Sequence, residues 1–141
     1  MTANRKTQTG LTLLELLIVL AILGLIAAFA APRVVGVLGG AKTDAATVQI
    51  DNIAAALDLF RLEVGRYPTT EEGLQSLMAA PNDAEGWNGP YLDKPSGLVD
   101  PWGAPYDYRF PGENSDYEVF TLGADGQEGG EGENADVSNW S

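Results

Sequence analysis

The chain divides into an apolar N-terminal stretch, an amphipathic stretch and a mixed remainder. From Leu11 to Ala31 it reads LTLLELLIVLAILGLIAAFAA, which is 21 residues with one charged side chain. As a helix rising about 1.5 Å per residue, this stretch spans roughly 30 Å, the thickness of the hydrocarbon core of a bilayer. The pattern predicts one membrane-spanning helix at residues 11–31.

The amphipathic stretch covers residues 32–64. Its apolar residues recur at every third or fourth position, with charged residues between them: Ile50, Ile53, Leu57, Phe60 and Val64. This spacing is typical of a helix with one buried face. Gly65 and a proline three residues later predict the helix end, because glycine caps helices and proline cannot continue them. We expect one helix from near Leu11 to Val64.

Residues 65–141 predict a small body folded against that helix. Thr69 and Glu72 have capping-box spacing and predict a short second helix that ends at Pro81. The loop that follows contains aromatic residues that predict attachment to the core: Trp87, Tyr91 and Trp102. Alternating apolar positions within 106–110 and 117–122 predict an antiparallel hairpin. A long helix packed against a small sheet is an α+β fold.

Composition narrows the chemistry. The chain has no cysteine and no histidine, which excludes disulfides, the usual zinc sites and the commonest general base at neutral pH. The net charge is -12, and the chain after Arg109 contains acids but no lysine or arginine. Such a surface repels nucleic acid and suits a cation. Because no nucleophile or base accompanies the carboxylates, we do not expect an enzyme.

The N-terminal charges predict an orientation. Arg5 and Lys6 precede the apolar stretch, so the positive-inside rule places the N-terminus in the cytoplasm and the remainder beyond the inner membrane. An ordinary signal peptide is the alternative, because Ala28-Phe29-Ala30 resembles its cleavage site. A carboxylate within the stretch, Glu15, and a helical pattern that continues past this site both count against that alternative.

Glu15 and two helix-weakening residues are the candidate functional positions of the apolar stretch. A charge at the centre of a membrane segment costs roughly 2.5 kcal/mol or more, so it usually marks a partner, here a positive one. A carboxylate that reaches the membrane surface is the alternative. Gly24 and Pro32 predict a kink or local melting, although membrane helices also tolerate both residues. Small residues, Gly39 among them, favour close helix packing.

Gly10 followed by LTLLELLIVLAILG resembles the signal of type IV pilins and pseudopilins. The resemblance implies that a prepilin peptidase cleaves after Gly10 and methylates the new N-terminus at Leu11, where the family usually has phenylalanine. It also implies that Glu15 pairs with the N-terminal amine of a neighbouring subunit. The segment containing Gly24 and Pro32 is similar to one that unwinds in assembled fibres.

Over nearly its whole length the chain is similar to the major pseudopilins, the G-type subunits of bacterial type II secretion. The matching segments are GRYPTTEEGLQSL, WNGPYLDKP, DPWGAPYDYRFPG and YEVFTLGADGQEGGEGENADVSNW. The resemblance implies a pilin-like fold and a homopolymer, the periplasmic pseudopilus, that drives export of folded proteins across the outer membrane. The implied partners are minor pseudopilins, an inner-membrane assembly platform, the prepilin peptidase and the lipid bilayer.

The segment from Leu122 to Trp140 combines glycines with five acids: Asp125, Glu128, Glu131, Glu133 and Asp136. Calcium prefers six to eight oxygen ligands of this kind. Composition leaves open a calcium site and a flexible acidic tail. The resemblance implies a calcium loop with ligands at Asp125, Asp136 and the carbonyl of Leu122, and Glu131 and Glu133 are further candidates. Metal binding would then contribute to folding.

Two other functions remain open from the residues. A type IV major pilin of a surface fibre usually closes its C-terminal region with a disulfide, which this chain cannot form. In a membrane-anchored binding module, the aromatic loop with Trp87, Tyr91 and Trp102 would hold a peptide or a sugar, and the helix would serve only as a tether.

Overall fold

The structure, a computed structural model, describes residues 10–141. Arg5 and Lys6, on which the predicted orientation rests, lie outside this range. The described chain forms two compact units, one ending at Val37 and one comprising Leu38–Ser141. One helix, α1 (Leu13–Val64), runs through both, so the predicted long helix is confirmed. Pro32 lies inside it without interrupting it, and the predicted local melting is absent from the described helix.

In the first unit, every described residue of α1 is exposed. One stretch of the helix is long and apolar enough to cross a membrane, and none of that stretch is buried within the described structure. Water does not favour so large an apolar surface, so this segment requires lipid or other protein around it.

In the second unit, one face of α1 forms the core together with a small sheet. Four of the five residues predicted from the three-to-four spacing are fully buried, namely Ile50, Ile53, Leu57 and Phe60, whereas Val64 is half-buried. Ala46, which the spacing did not include, is also fully buried. The helix ends at Val64, because Gly65 adopts φ +88° and donates its N–H to the carbonyl of Arg61 at 2.8 Å. This is the glycine cap that the sequence predicted.

The sheet has three antiparallel strands in the order β1 (Asp107–Arg109), β2 (Glu118–Thr121) and β3 (Val137–Ser138). Tyr108 pairs with Val119 in β1 and β2, which confirms the predicted hairpin. The prediction missed β3, whose Val137 pairs with Thr121. Two residues give too little alternation to be recognised as a strand, and only pairing with β2 defines it.

The predicted second helix is a 3₁₀-helix and not an α-helix. Its capping box forms, since Glu72 N–H donates to the Thr69 hydroxyl at 3.1 Å and Thr69 N–H donates to Glu72 Oε2 at 2.9 Å. However, Gly73 turns to φ 61°, and only a 3₁₀-helix follows, at Leu74–Leu77. Glu72 also accepts a bidentate bond from Arg66, which lowers the pKa of this carboxyl. A second 3₁₀-helix spans Pro95–Leu98.

The aromatic loop is fixed by polar and aromatic contacts, as predicted. Trp87 Nε1 donates to the carbonyl of Ser76 at 2.9 Å, and the Tyr91 ring lies edge-on to Phe60 at 6.0 Å between centroids. Asp100 is buried and accepts the backbone N–H of Trp102 and of Ala104, together with the Thr121 hydroxyl. The loop is thereby attached to both the helix and β2.

A second buried carboxylate holds the turn between β1 and β2. Glu118 is 1 % exposed and accepts the backbone N–H groups of Glu113 and Asn114 at 3.0 and 2.9 Å. It also accepts Asn114 Nδ2, and it pairs with Arg109 at 3.2 Å. These bonds, those from Asn114 first, hold the pKa of Glu118 below its usual value.

We expect Glu118→Gln to lower the melting temperature of residues 33–141 and to weaken the loss of stability on acidification. A lowered folded-state pKa contributes stability above the unfolded value of 4.5, and that stability is lost as the pH falls through the folded value. Thermal melts from neutral to acidic pH measure it. Glu113→Gln is the matched control, since this side chain is 80 % exposed, and identical melts of both variants would contradict the prediction.

Candidate functional site

The first candidate site lies at the start of α1. The Thr12 hydroxyl accepts the backbone N–H of Glu15 at 3.2 Å, which caps the first turn. The Glu15 carboxylate is exposed and has no basic side chain within salt-bridge distance in the described chain. It is the only acid between Gly10 and Ala41. The structure therefore leaves this carboxylate available to a partner.

The apolar residues of the helix around and after Glu15 form an exposed surface. Leu13 is 82 % exposed and Phe29 is 74 % exposed. At Gly24 no other part of the described chain lies within 4 Å of an added Cβ, and Pro32 is equally exposed. Neither residue packs against the described chain, so no internal contact explains why a glycine and a proline stand there.

The second candidate site is the acidic loop between β2 and β3. All five of its glycines have positive φ, namely Gly123, Gly126, Gly129, Gly130 and Gly132. The loop is closed by its own backbone, since Ala124 N–H donates to the carbonyl of Glu133 at 2.8 Å and a 3₁₀-helix forms at Gly132–Asn134. The acidic segment is thus a folded loop in the structure and not a free tail.

The predicted ligands occupy different parts of this loop. Asp125 Oδ1 accepts Gln127 N–H at 3.1 Å, and Asp136 Oδ2 accepts Gly129 N–H at 2.9 Å. Leu122 and Asp136 line the same shallow cleft. Glu131 is exposed, and its carbonyl accepts Asn134 N–H at 3.1 Å. Glu133 points elsewhere, to Lys42, with 3.8 Å between Nζ and Oε1.

The loop offers few side-chain oxygens that could bind calcium. Within residues 10–141, no three His, Cys, Asp or Glu side chains are grouped so that they could hold a metal ion. The described hydrogen bonds use one carboxylate oxygen of Asp125 and one of Asp136, so one oxygen of each remains. A calcium site here would therefore depend on two aspartates and backbone carbonyls, and not on a cluster of acids.

Sequence reasoning missed the contact between this loop and α1. Thr43 Oγ1 donates to the carbonyl of Gly132 at 3.4 Å, beside the Lys42–Glu133 pair. The side chain of Glu133 covers Gly39, where an added Cβ would lie 2.4 Å from its Cγ. Gly39 is consequently buried by its own chain and is unavailable for packing between helices. No sequence pattern joins positions so far apart, so only the fold reveals this contact.

The comparisons with known proteins agree with one another. A family model described as type II secretion system (T2SS), protein G matches residues 33–140, and one described as the prokaryotic N-terminal methylation motif matches residues 5–31. The type II secretion system core protein G of Vibrio cholerae is 44 % identical over 138 residues, which cover 96 % of this chain and 93 % of that protein. Its counterpart in Pseudomonas aeruginosa is 42 % identical, with 97 % and 98 % covered.

A solved structure also matches. The chain superimposes on the crystal structure of the major pseudopilin from the type 2 secretion system of enterohaemorrhagic Escherichia coli with a TM-score of 0.58 and 34 % identity. The match covers 71 % of this chain and 87 % of that one. Sequence and fold therefore point to the same family.

Two loop glycines provide a matched test of how tightly the acidic loop is packed. Gly123 and Gly126 have similar backbones, with φ of +70° and +65°. A Cβ at Gly123 would lie 2.7 Å from the carbonyl oxygen of Glu133, whereas a Cβ at Gly126 has open space around it. We expect Gly126→Ala to cost about 1 kcal/mol of unfolding free energy through backbone strain alone. Gly123→Ala should cost about 1–3 kcal/mol more, and urea denaturation of residues 33–141 measures both. Equal costs would show that the loop does not pack as described.

Proposed function

The chain belongs to the type II secretion system protein G family, the major pseudopilins, and on that premise we propose how its parts are processed and assembled. It is a structural subunit of the pseudopilus and not an enzyme. The observation that carries the proposal is the exposed apolar half of α1 with one unpaired carboxylate near its start, a surface that a monomer in water cannot keep.

Maturation is the first step. A prepilin peptidase would cleave after Gly10 and methylate Leu11, leaving a helix that begins two residues further on. The match of the N-terminal methylation motif to residues 5–31 supports this. With Arg5 and Lys6 on the cytoplasmic side, the apolar part of α1 would cross the inner membrane once and the second unit would lie in the periplasm.

Assembly is the second step. Cleavage creates a positive amine at Leu11, and Glu15 of a neighbouring subunit is the carboxylate that would neutralise it. In a lipid environment both charges are costly unless they are paired. Gly24 and Pro32 would allow the helix to unwind in the fibre, where packing and stretching act on it. In the structure of the single chain this segment is helical.

The partners follow from this surface. We propose a homopolymer in contact with minor pseudopilins, an inner-membrane assembly platform and the lipid bilayer. The net charge of -12 opposes binding to nucleic acid. A surface pilus subunit and a binding module are less well supported. The family match favours the pseudopilin, and the aromatic residues of the loop are engaged in the core: Trp87, Tyr91 and Trp102.

Calcium is the proposed ligand of the acidic loop. Asp125, Asp136 and the carbonyl of Leu122 would hold it, because each aspartate retains an oxygen and the loop already brings Leu122 and Asp136 to one cleft. The ion would neutralise two carboxylates in a segment rich in acids. Glu131 would lie at the edge of the site, and Glu133 is the weakest candidate because of its pair with Lys42.

We expect Glu15→Gln to leave the protein inserted and cleaved but to reduce assembly and secretion by about tenfold or more, because the charge pairing with the neighbouring amine is lost. Glu15→Asp keeps the charge and should retain more activity. The measurements are leader removal, recovery of cross-linked fibres and secretion of a substrate protein. Equal assembly by the Gln and Asp variants would argue against the pairing.

We expect excess calcium, but not magnesium, to raise the melting temperature of residues 33–141 relative to chelator. At a calcium concentration about a hundred times Kd, the gain is about 2.7 kcal/mol. Asp125→Ala and Asp136→Ala should remove it, and Glu71→Ala, which removes an exposed acid away from the loop and its cleft, should not. A melting temperature that is indifferent to calcium would reject the metal and leave the pseudopilin assignment standing.

A further inference from the structure

The acidic loop touches α1 ahead of the core of the domain. Gly39 is the first buried residue of the described helix, and the next buried residue is Ala46. The three atoms nearest to a Cβ placed at Gly39 all belong to the side chain of Glu133. The burial of Gly39 is therefore due to the acidic loop.

Three contacts make up this attachment, which we call the clamp. The side chain of Glu133 lies over Gly39, and its Oε1 lies 3.8 Å from Lys42 Nζ. The Thr43 hydroxyl lies 3.4 Å from the carbonyl oxygen of Gly132, to which it donates. The Lys42 and Glu133 side chains are 37 % and 32 % exposed, and an ion pair at the surface contributes little stability. The clamp is therefore weak by itself and depends on the closure of the loop.

The helical turn under the clamp is also weak. Gly36, Gly39 and Gly40 fall within five residues in the interior of α1. Glycine destabilises a helix because it loses more backbone freedom on folding than any other residue. A Cβ at Gly36 or at Gly40 would have open space around it, whereas at Gly39 the side chain of Glu133 occupies that space. The boundary between the two compact units of the chain falls in the same turn.

Glu133 connects the clamp to the turns that hold the candidate calcium ligands. Its backbone carbonyl accepts the N–H of Ala124 at 2.8 Å, directly before Asp125 in the chain. Asp136 follows the 3₁₀-helix that contains Glu133. An ion held by Asp125 and Asp136 would therefore fix the backbone of Glu133, and with it the place of its side chain over Gly39.

We propose that Glu133 positions the acidic loop on α1, and that the closed loop keeps the turn at residues 36–43 helical. When the loop opens, Glu133 leaves Gly39 and the glycine-rich turn frays, so α1 becomes flexible where its exposed half meets the domain. The inference rests on the proposed function only in taking calcium as the ion that closes the loop. Because coupling free energies are reciprocal, a clamp that calcium strengthens also raises the affinity for calcium by the same factor.

Hydrogen exchange followed by mass spectrometry tests the clamp in the full-length chain, held in lipid nanodiscs without calcium. We expect Glu133→Ala to speed amide exchange of residues 36–43 about tenfold, because opening of this turn no longer breaks the clamp. Glu131→Ala is the matched control, since this acid of the same loop is exposed and makes none of the clamp contacts. Unchanged exchange around Ile53 shows that each variant folds. Equal exchange of the turn in both variants would overturn the proposal.

A charge exchange tests whether Glu133 acts through Lys42. Glu133→Lys puts two positive charges together and should speed exchange of residues 36–43. Adding Lys42→Glu restores an opposite pair and should restore protection of the turn, which a general loss of loop structure would not allow. Protection that does not return in the double variant would reject the ion pair as part of the clamp.

Two helix glycines provide the reverse test, with the acidic loop as the readout. Gly39→Ala and Gly40→Ala raise helix propensity equally, but only the first places a methyl group where Glu133 lies. We expect Gly39→Ala to speed exchange of residues 123–136 and to lower the calcium affinity measured by calorimetric titration. Gly40→Ala should change neither. The same loop exchange in both variants would contradict the coupling.

Calcium separates this inference from the proposed function. We expect excess calcium to slow exchange both in the loop and in residues 36–43 of the unaltered chain. Slower exchange in the loop alone would overturn the coupling and leave the calcium site standing. If calcium slows neither, the calcium part of the proposed function fails. The comparison of Glu133→Ala with Glu131→Ala, made without calcium, then still decides whether the clamp exists.

Discussion

A single helix that must be covered on more than one side is the constraint from which the rest of this structure follows. The face that contains Ile53 and Phe60 is buried by the sheet and loops of its own chain. From Leu13 to Val37 the helix is exposed throughout and is too apolar for water. A protein with that surface needs lipid around it before assembly and other subunits around it afterwards. A pseudopilus subunit meets these two environments one after the other.

The domain on that helix is small, and it has no disulfide to hold its loops. Buried carboxylates hold the loops instead. Asp100 attaches the aromatic loop to β2, and Glu118 organises the turn between β1 and β2. A buried carboxylate is tolerated only when several donors surround it, and both of these accept backbone N–H groups as well as side-chain donors. The bonds to Glu118 hold the pKa of this carboxyl below its usual value, so they contribute stability that decreases as the pH falls through that lowered pKa.

The acidic loop is held in place by contacts within its own chain. In the described structure it is closed by backbone bonds and by contact of Glu133 and Gly132 with α1 at Lys42 and Thr43. A bound cation would add a second attachment at Asp125 and Asp136. The acids of the loop differ in their surroundings: Glu133 lies opposite Lys42, whereas Asp125 and Asp136 each accept a backbone N–H within the loop.

The sequence by itself determined the elements that depend on local pattern. The long helix, its end at Gly65, the hairpin and the attached aromatic loop follow from spacing and turn residues close in the chain. Tertiary structure decided what depends on residues distant in sequence. Strand β3 exists only through its pairing with β2, and Glu133 pairs with Lys42, far from it in sequence. The second helix differs for a local reason, since Gly73 turns to φ 61° directly before a single 3₁₀ turn. A second apolar row of the helix, with Leu38, Val48, Leu59 and Leu62, depends on both, because its residues can be read from the sequence but their exposure follows from which face of the helix the fold buries.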